Sequence, residues 1–170
     1  MSPSTKKALF ACLCFAAVGA FGWFRTADGS GSLPLLAYYA VLLINTFFSI
    51  QVLSAVTPKN AVQILFDVVL AALYCALAFS FGSVPLFSAI SASLFLVAIA
   101  KYVHLDRRIN MPKLLHRKIK INALGALLSL TAFGMATVGL TGISAWTLCI
   151  VFSLANIYLL VINPMYRLDG

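Results

Sequence analysis

Apolar residues fall into six long runs separated by short polar stretches. The runs cover about residues 8–24, 33–56, 61–81, 86–103, 121–140 and 143–162. A helix needs roughly 20 consecutive apolar residues to cross a hydrocarbon core. The pattern therefore predicts an all-α polytopic membrane protein, a six-transmembrane-helix bundle forming one integral membrane domain over residues 1–170.

Punctuation between the runs supports these limits. Arg25 to Ser32 (RTADGSGS) reads as a polar Gly/Ser-rich loop, and Pro34 suits the first turn of the second helix. Thr57-Pro58-Lys59-Asn60, Gly82-Ser83-Val84-Pro85 and Thr141-Gly142 read as turns. Asn163-Pro164 ends the sixth run, because proline disfavours helix at the residue before it. A cleaved signal peptide ending near Val18-Gly19-Ala20 is the rival reading of the first run. Its length favours a retained span.

Charge then orients the bundle. Alternating the connections puts Lys6, Lys7, Lys59, Lys101, Arg107, Arg108, Lys113, Arg117, Lys118, Lys120 and Arg167 on one side and Arg25 alone on the other. The positive-inside bias assigns the first side, with both termini, to the cytoplasm. The expected location is a cell membrane, crossed six times.

Composition agrees. The chain has 170 residues, 62% hydrophobic and 9% charged, with a formal charge of +8 and a mean hydropathy of +1.02. Soluble domains carry about 25% charged residues, so lipid must bathe most of this surface. In that setting the positive charge is accounted for by orientation and anionic headgroups, and no nucleic-acid partner is expected. Arg107, Arg108, Lys113, Arg117, Lys118 and Lys120 form the candidate contact with lipid headgroups or a protein partner. A membrane-protein partner or a homo-oligomer stays open.

Chemistry is sparse. There is no Ser/His/Asp set, no H-E-x-x-H and no P-loop, so no enzyme is expected. Cys12, Cys14, Cys75 and Cys149 lie inside apolar runs without C-x-x-C spacing, which suits buried small hydrophobes rather than a zinc site. His104 and His116 both fall at the cytoplasmic edge, a poor arrangement for haem. No cofactor or metal is expected. Trp23, Phe24, Tyr38, Tyr39 and Trp146 read as interface anchors on the outer side, and Tyr102, Tyr158 and Tyr166 on the inner one.

Weakly polar residues at helical spacing mark the faces that meet. These include Gln63, Asp67, Ala71 and Tyr74 in the third span, and Asn122, Gly125 and Ser129 in the fifth. Cys12, Ala16, Gly19 and Trp23 do the same in the first. They could simply glue helices, at about 0.6 kcal/mol per hydrogen bond. Alternatively, Asn45, Ser49, Asp67, Tyr74 and Asn156 line a polar centre that binds or transports a small solute or ion. Asp67 sits about 10 Å along its span. There a carboxylate must be paired, wetted or protonated, and Lys101 on the next span is its natural ion-pair partner at matching depth. A titrating site and a merely interfacial carboxylate are the other two readings of Asp67. The competing functional expectation is a non-catalytic accessory, assembly or immunity-type subunit acting through protein contacts.

Overall fold

The structure, a computed structural model, describes residues 1–27, 32–54, 57–58, 60–108 and 112–164, with only the backbone of Pro112. The described residues are helical apart from short turns. Among the described residues, six helices are long and apolar enough to cross a membrane. They are α1 (Pro3–Thr26), α2 (Leu33–Leu53), α3 (Ala61–Ala78), α4 (Val84–Asp106), α5 (Pro112–Thr137) and α6 (Thr141–Ile157). A π-helical turn, Tyr158–Ile162, extends α6 and closes with Asn163 N–H donating to the Tyr158 carbonyl at 2.8 Å.

Local sequence sets the helix starts. The Ser2 hydroxyl accepts from Thr5 N–H at 3.2 Å, Asn60 Oδ1 from Gln63 N–H at 2.8 Å and the Ser83 hydroxyl from Leu86 N–H at 3.4 Å. Each satisfies one of the orphan donors of a first turn. Proline occupies the first turn of α1, α2 and α4, where its missing N–H costs nothing.

Two limits differ from the hydropathy reading. The turn between α5 and α6 is made at Gly139, not at Thr141-Gly142. Gly139 takes φ +91°, a left-handed conformation open to glycine. Its N–H reaches the Ala136 carbonyl and that of Leu140 the Met135 carbonyl, the paired bonds of a Schellman ending. Helix α5 begins at Pro112, where proline suits a first helical position, nine residues before the apolar run, because its basic first turns are helical without being lipid-soluble.

The helices pack in a closed ring, in the order α1, α2, α6, α5, α4, α3 and back to α1. Helices consecutive in the chain run antiparallel, which leaves the ring neighbours α2 and α6, and α1 and α3, parallel. Arg117 at the start of α5 donates to the Asn163 carbonyl just beyond α6 at 2.9 Å, and Ser144 at the start of α6 to the Ala132 carbonyl late in α5 at 2.6 Å. One end of the ring thus gathers the starts of α1, α3 and α5 with the ends of α2, α4 and α6. It holds Lys6, Lys7, Lys101, Arg107, Arg108 and the basic run of α5. At the other end Arg25 is the single Lys or Arg among the described residues. Lys59, Arg167 and Tyr166, which also figured in the charge and aromatic patterns, lie outside the described residues.

Aromatic side chains fill the Arg25 half of the interior. Tyr38 lies 4.4 Å from the Phe152 ring and 5.5 Å from the Phe87 ring, Phe81 stacks on Phe87 at 5.8 Å, and Trp23 meets Phe81 at 5.7 Å between centroids. Tyr38, which the sequence also puts on the meeting face of its helix with Asn45 and Ser49, and Tyr39 are therefore core residues rather than interface anchors. Their hydroxyls find partners inside, Tyr38 with Ser91 and Tyr39 with the Phe15 carbonyl at 3.0 Å, which is what lets tyrosine be buried. Tyr102 is likewise buried, while Trp146 and Phe24 are exposed. In α1 the inward face is Ala8, Gly19 and Gly22; Ala16, expected there, is exposed.

Candidate functional site

The basic half of the ring encloses a cavity of about 450 Å³. Its walls come from the starts of α1, α3 and α5 and the ends of α2 and α4. Exposed Lys7, Ile64 and Asp67 belong to the lining and mark where it meets the molecular surface. The inner limit is Phe15, Leu42, Tyr74 and Phe95, against which the aromatic packing begins. The cavity therefore approaches one end of the molecule and stops inside.

One polar cluster crosses the cavity. The Lys118 ammonium of α5 donates to the Ser49 hydroxyl of α2 at 2.9 Å and lies 5.4 Å from the centroid of the Tyr102 ring of α4. The Ser49 and Tyr102 hydroxyls are themselves 3.0 Å apart. Lys118 is only 5% exposed. A buried ammonium is tolerated where a hydroxyl dipole and an aromatic face offset part of its lost hydration. Asn122, one turn along α5, donates to the Lys118 carbonyl at 2.9 Å and also lines the cavity.

A second cluster belongs to α3 and α4. Lys101 Nζ donates to Asp67 Oδ1 at 2.5 Å. The lysine side chain is 17% exposed and the carboxylate 59%, so the pair sits at the wall with its acidic member outermost. Deeper in, the Tyr74 and Thr46 hydroxyls are hydrogen-bonded to each other, and Tyr74 stacks on Phe15 at 4.7 Å between centroids.

Gln63 is the unusual member. It is 2% exposed and lines the cavity, and no group among the described residues answers its side-chain nitrogen or oxygen. The Ser54 hydroxyl nearby is also buried and unanswered. Unpartnered buried amides are rare, because each costs about 1–3 kcal/mol.

Of the six residues expected at a polar centre, the structure brings Asn45, Ser49, Asp67, Tyr74 and Lys101 to this cavity. It does not bring Asn156. That side chain is buried on α6, where Nδ2 donates to its own helix at the Phe152 carbonyl, 2.8 Å away. The basic group also divides. Arg107, Arg108, Lys113 and Lys120 are exposed and available to headgroups. Arg117 caps the end of α6, and Lys118 is turned into the cavity, not toward headgroups. Sequence reasoning had a signal for this. Residues 118, 122, 125 and 129 share one helical face, and the weak polarity of the last three marks that face as buried. The sequence places Gln63 on the meeting face of its helix but not at the polar centre.

His116 Nε2 lies 3.5 Å from Asp106 Oδ2 where the chain passes from α4 to α5. His104 lies beside Phe66, its ring centroid 6.1 Å away. The four cysteines are free thiols. Among the described residues no group of three or more His, Cys, Asp or Glu could hold a metal ion. No family model matches the chain, and neither does any curated protein or solved structure.

Proposed function

We propose that this chain is a multi-pass membrane protein that binds a small solute in the cavity of its helix ring, with the basic end and both termini in the cytoplasm. The observation that carries the reading is the cavity together with the buried, unanswered Gln63 amide in its wall. A helix bundle held only by packing has no reason to keep that amide dry and unpartnered, since leucine in its place would be the cheaper choice. The volume falls within the roughly 300–1,000 Å³ of small-molecule sites. Orientation rests on the positive-inside bias, with Arg25 opposed to the cations of the other end.

On this reading the solute reaches its site from the cytoplasmic side. Carrying it across would require the packing of Tyr38, Phe87 and Phe152 to part. Exposed apolar residues on every helix, Leu65 and Leu154 among them, are accounted for by lipid and do not by themselves favour a protein partner.

Thermal-shift screening of small solutes against the purified chain in zwitterionic lipid nanodiscs tests the proposal. Ala98→Phe is the control, because Ala98 lines the cavity and a phenyl ring there would fill it. Ligands that raise the melting temperature of the native chain and not of Ala98→Phe are expected, since binding to the folded state alone stabilises it. Shifts of equal size in both chains, or none in either, would overturn the proposal.

A further inference from the structure

The lining also specifies the ligand's chemistry, on the premise that the cavity is a solute site. We infer that it takes an amphiphilic anion, with a carboxylate or phosphate group near Lys118 and Lys7 and an apolar body against Phe15, Leu70, Leu94 and Phe95.

Charge is the first argument. Among the described residues the lining contains three lysines, Lys7, Lys101 and Lys118, and one carboxylate, Asp67. Asp67 is ion-paired with Lys101. The site as a whole is thus net positive, which repels a cation and attracts an anion in the low dielectric of a bundle interior.

Preorganisation is the second. The Lys118 ammonium is positioned by Ser49 and the face of Tyr102, so an anion would pay little to order it. Gln63 lines the same cavity, and its buried amide, without a partner among the described residues, can give an N–H to the anion's oxygens once the side chain turns toward the ligand. Both groups are buried, where hydrogen bonds to charge are strongest.

The third is polarity along the axis. Lys7, Gln63, Lys101 and Lys118 belong to the basic end of the cavity, while Phe15, Leu42, Leu94 and Phe95 form its inner part. A ligand with one charged end and one apolar end matches that gradient in a single orientation, apolar end inward. Such an anion could be a soluble fatty acid or phosphate ester, or an anionic lipid of the surrounding bilayer.

The test uses the full chain in phosphatidylcholine nanodiscs, with dodecanoate, 1-dodecanol and dodecylammonium as probes in equilibrium binding. Dodecanoate is expected to bind saturably, and the neutral and cationic analogues about tenfold or more weaker, as the loss of a charged hydrogen bond requires. Lys118→Gln should weaken dodecanoate by a similar factor. Gln63→Leu should raise the melting temperature of the ligand-free chain, by removing an unanswered amide, and yet weaken dodecanoate several-fold. A purely structural Gln63 would not give that opposite pair of effects.

Phosphatidylglycerol in the disc separates the two sources. If the bilayer supplies the anion, that lipid displaces dodecanoate and stays with the native chain, but not with Lys118→Gln, in native mass spectrometry. If the ligand is a free solute, dodecanoate affinity is unchanged. Either result supports the inference. Equal binding of dodecanol and dodecanoate, or native affinity in both variants, overturns it. Preferential, Asp67-dependent binding of dodecylammonium also overturns it while leaving a solute site standing. Failure of all three probes to bind overturns the inference, and the solute-site reading falls with it only if the broader screen also yields no cavity-dependent ligand.

Discussion

Gly22 of α1 lies directly against the backbone carbonyl of Ala78 at the end of α3, so close that a Cβ on Gly22 would collide with that oxygen. This contact helps close the ring where its last helix meets its first. Small residues permit such backbone approach between membrane helices. Gly22→Ala should therefore force α1 and α3 apart and destabilise the fold by about 1–3 kcal/mol, the usual cost of overpacking. Gly134 is the control. Nothing lies within 4 Å of a Cβ built there, and it sits inside α5. Gly134→Ala should stabilise by about 0.5–1 kcal/mol through reduced backbone entropy. Thermal or denaturant unfolding of the two variants in the same micelle checks both signs.

The Lys101–Asp67 pair should contribute only modestly. Its carboxylate is largely exposed, and exposed ion pairs are worth about 0–1 kcal/mol. Asp67→Asn should lower stability by no more than that. A double-mutant cycle with Lys101→Gln should return a coupling of the same size. Purely additive losses would mean that the two residues act separately. A coupling several times larger would mean that the pair is shielded from water by lipid or by a partner.

Orientation is open to direct labelling. In a cysteine-free background, Arg25→Cys should react with a membrane-impermeant maleimide on intact cells. Lys113→Cys should react only after lysis. Both positions are exposed, so a difference in labelling reports the side of the membrane rather than burial. Labelling of Lys113→Cys on intact cells would reverse the assignment and move the cavity mouth to the opposite compartment.

The helices were legible because hydrocarbon demands long apolar runs, a constraint written into every span. Their ends were less so. Polar first turns such as Lys113 to Lys120 are helical without being apolar, and hydropathy cannot report them. That Asn45, Ser49, Asp67, Tyr74 and Lys101 come together was legible from depth and helical face: four lie in the basic half of their helices, and Tyr74 a few residues past the middle of α3. Asn156 was not separable from them. It has the right chemistry and depth, but its side chain bonds its own helix at the Phe152 carbonyl, which a helical face cannot report. Lys118 was hidden for the opposite reason. A charge count treats a basic run as one surface, whereas the helix turns each residue by about 100° and sends one of them inward.

The one-sided shape of the interior gives the last prediction. Ser54 and Ser88 both have buried hydroxyls that no group among the described residues answers, so replacing either by cysteine breaks no hydrogen bond seen there and adds little volume. Ser54 lines the cavity near its basic end. Ser88 is buried in the opposite half, one residue from Phe87 in the aromatic packing. In a background lacking Cys12, Cys14, Cys75 and Cys149, Ser54→Cys should react with a small charged methanethiosulfonate reagent added from the basic side, because the cavity beside it opens toward that end and admits the reagent. Ser88→Cys should stay inert until the chain is unfolded. Dodecanoate should slow the reaction at Ser54→Cys if it occupies the cavity. Equal reactivity at the two positions would mean that the aromatic half opens as freely as the basic half, and the cavity would then be part of a continuous path across the ring.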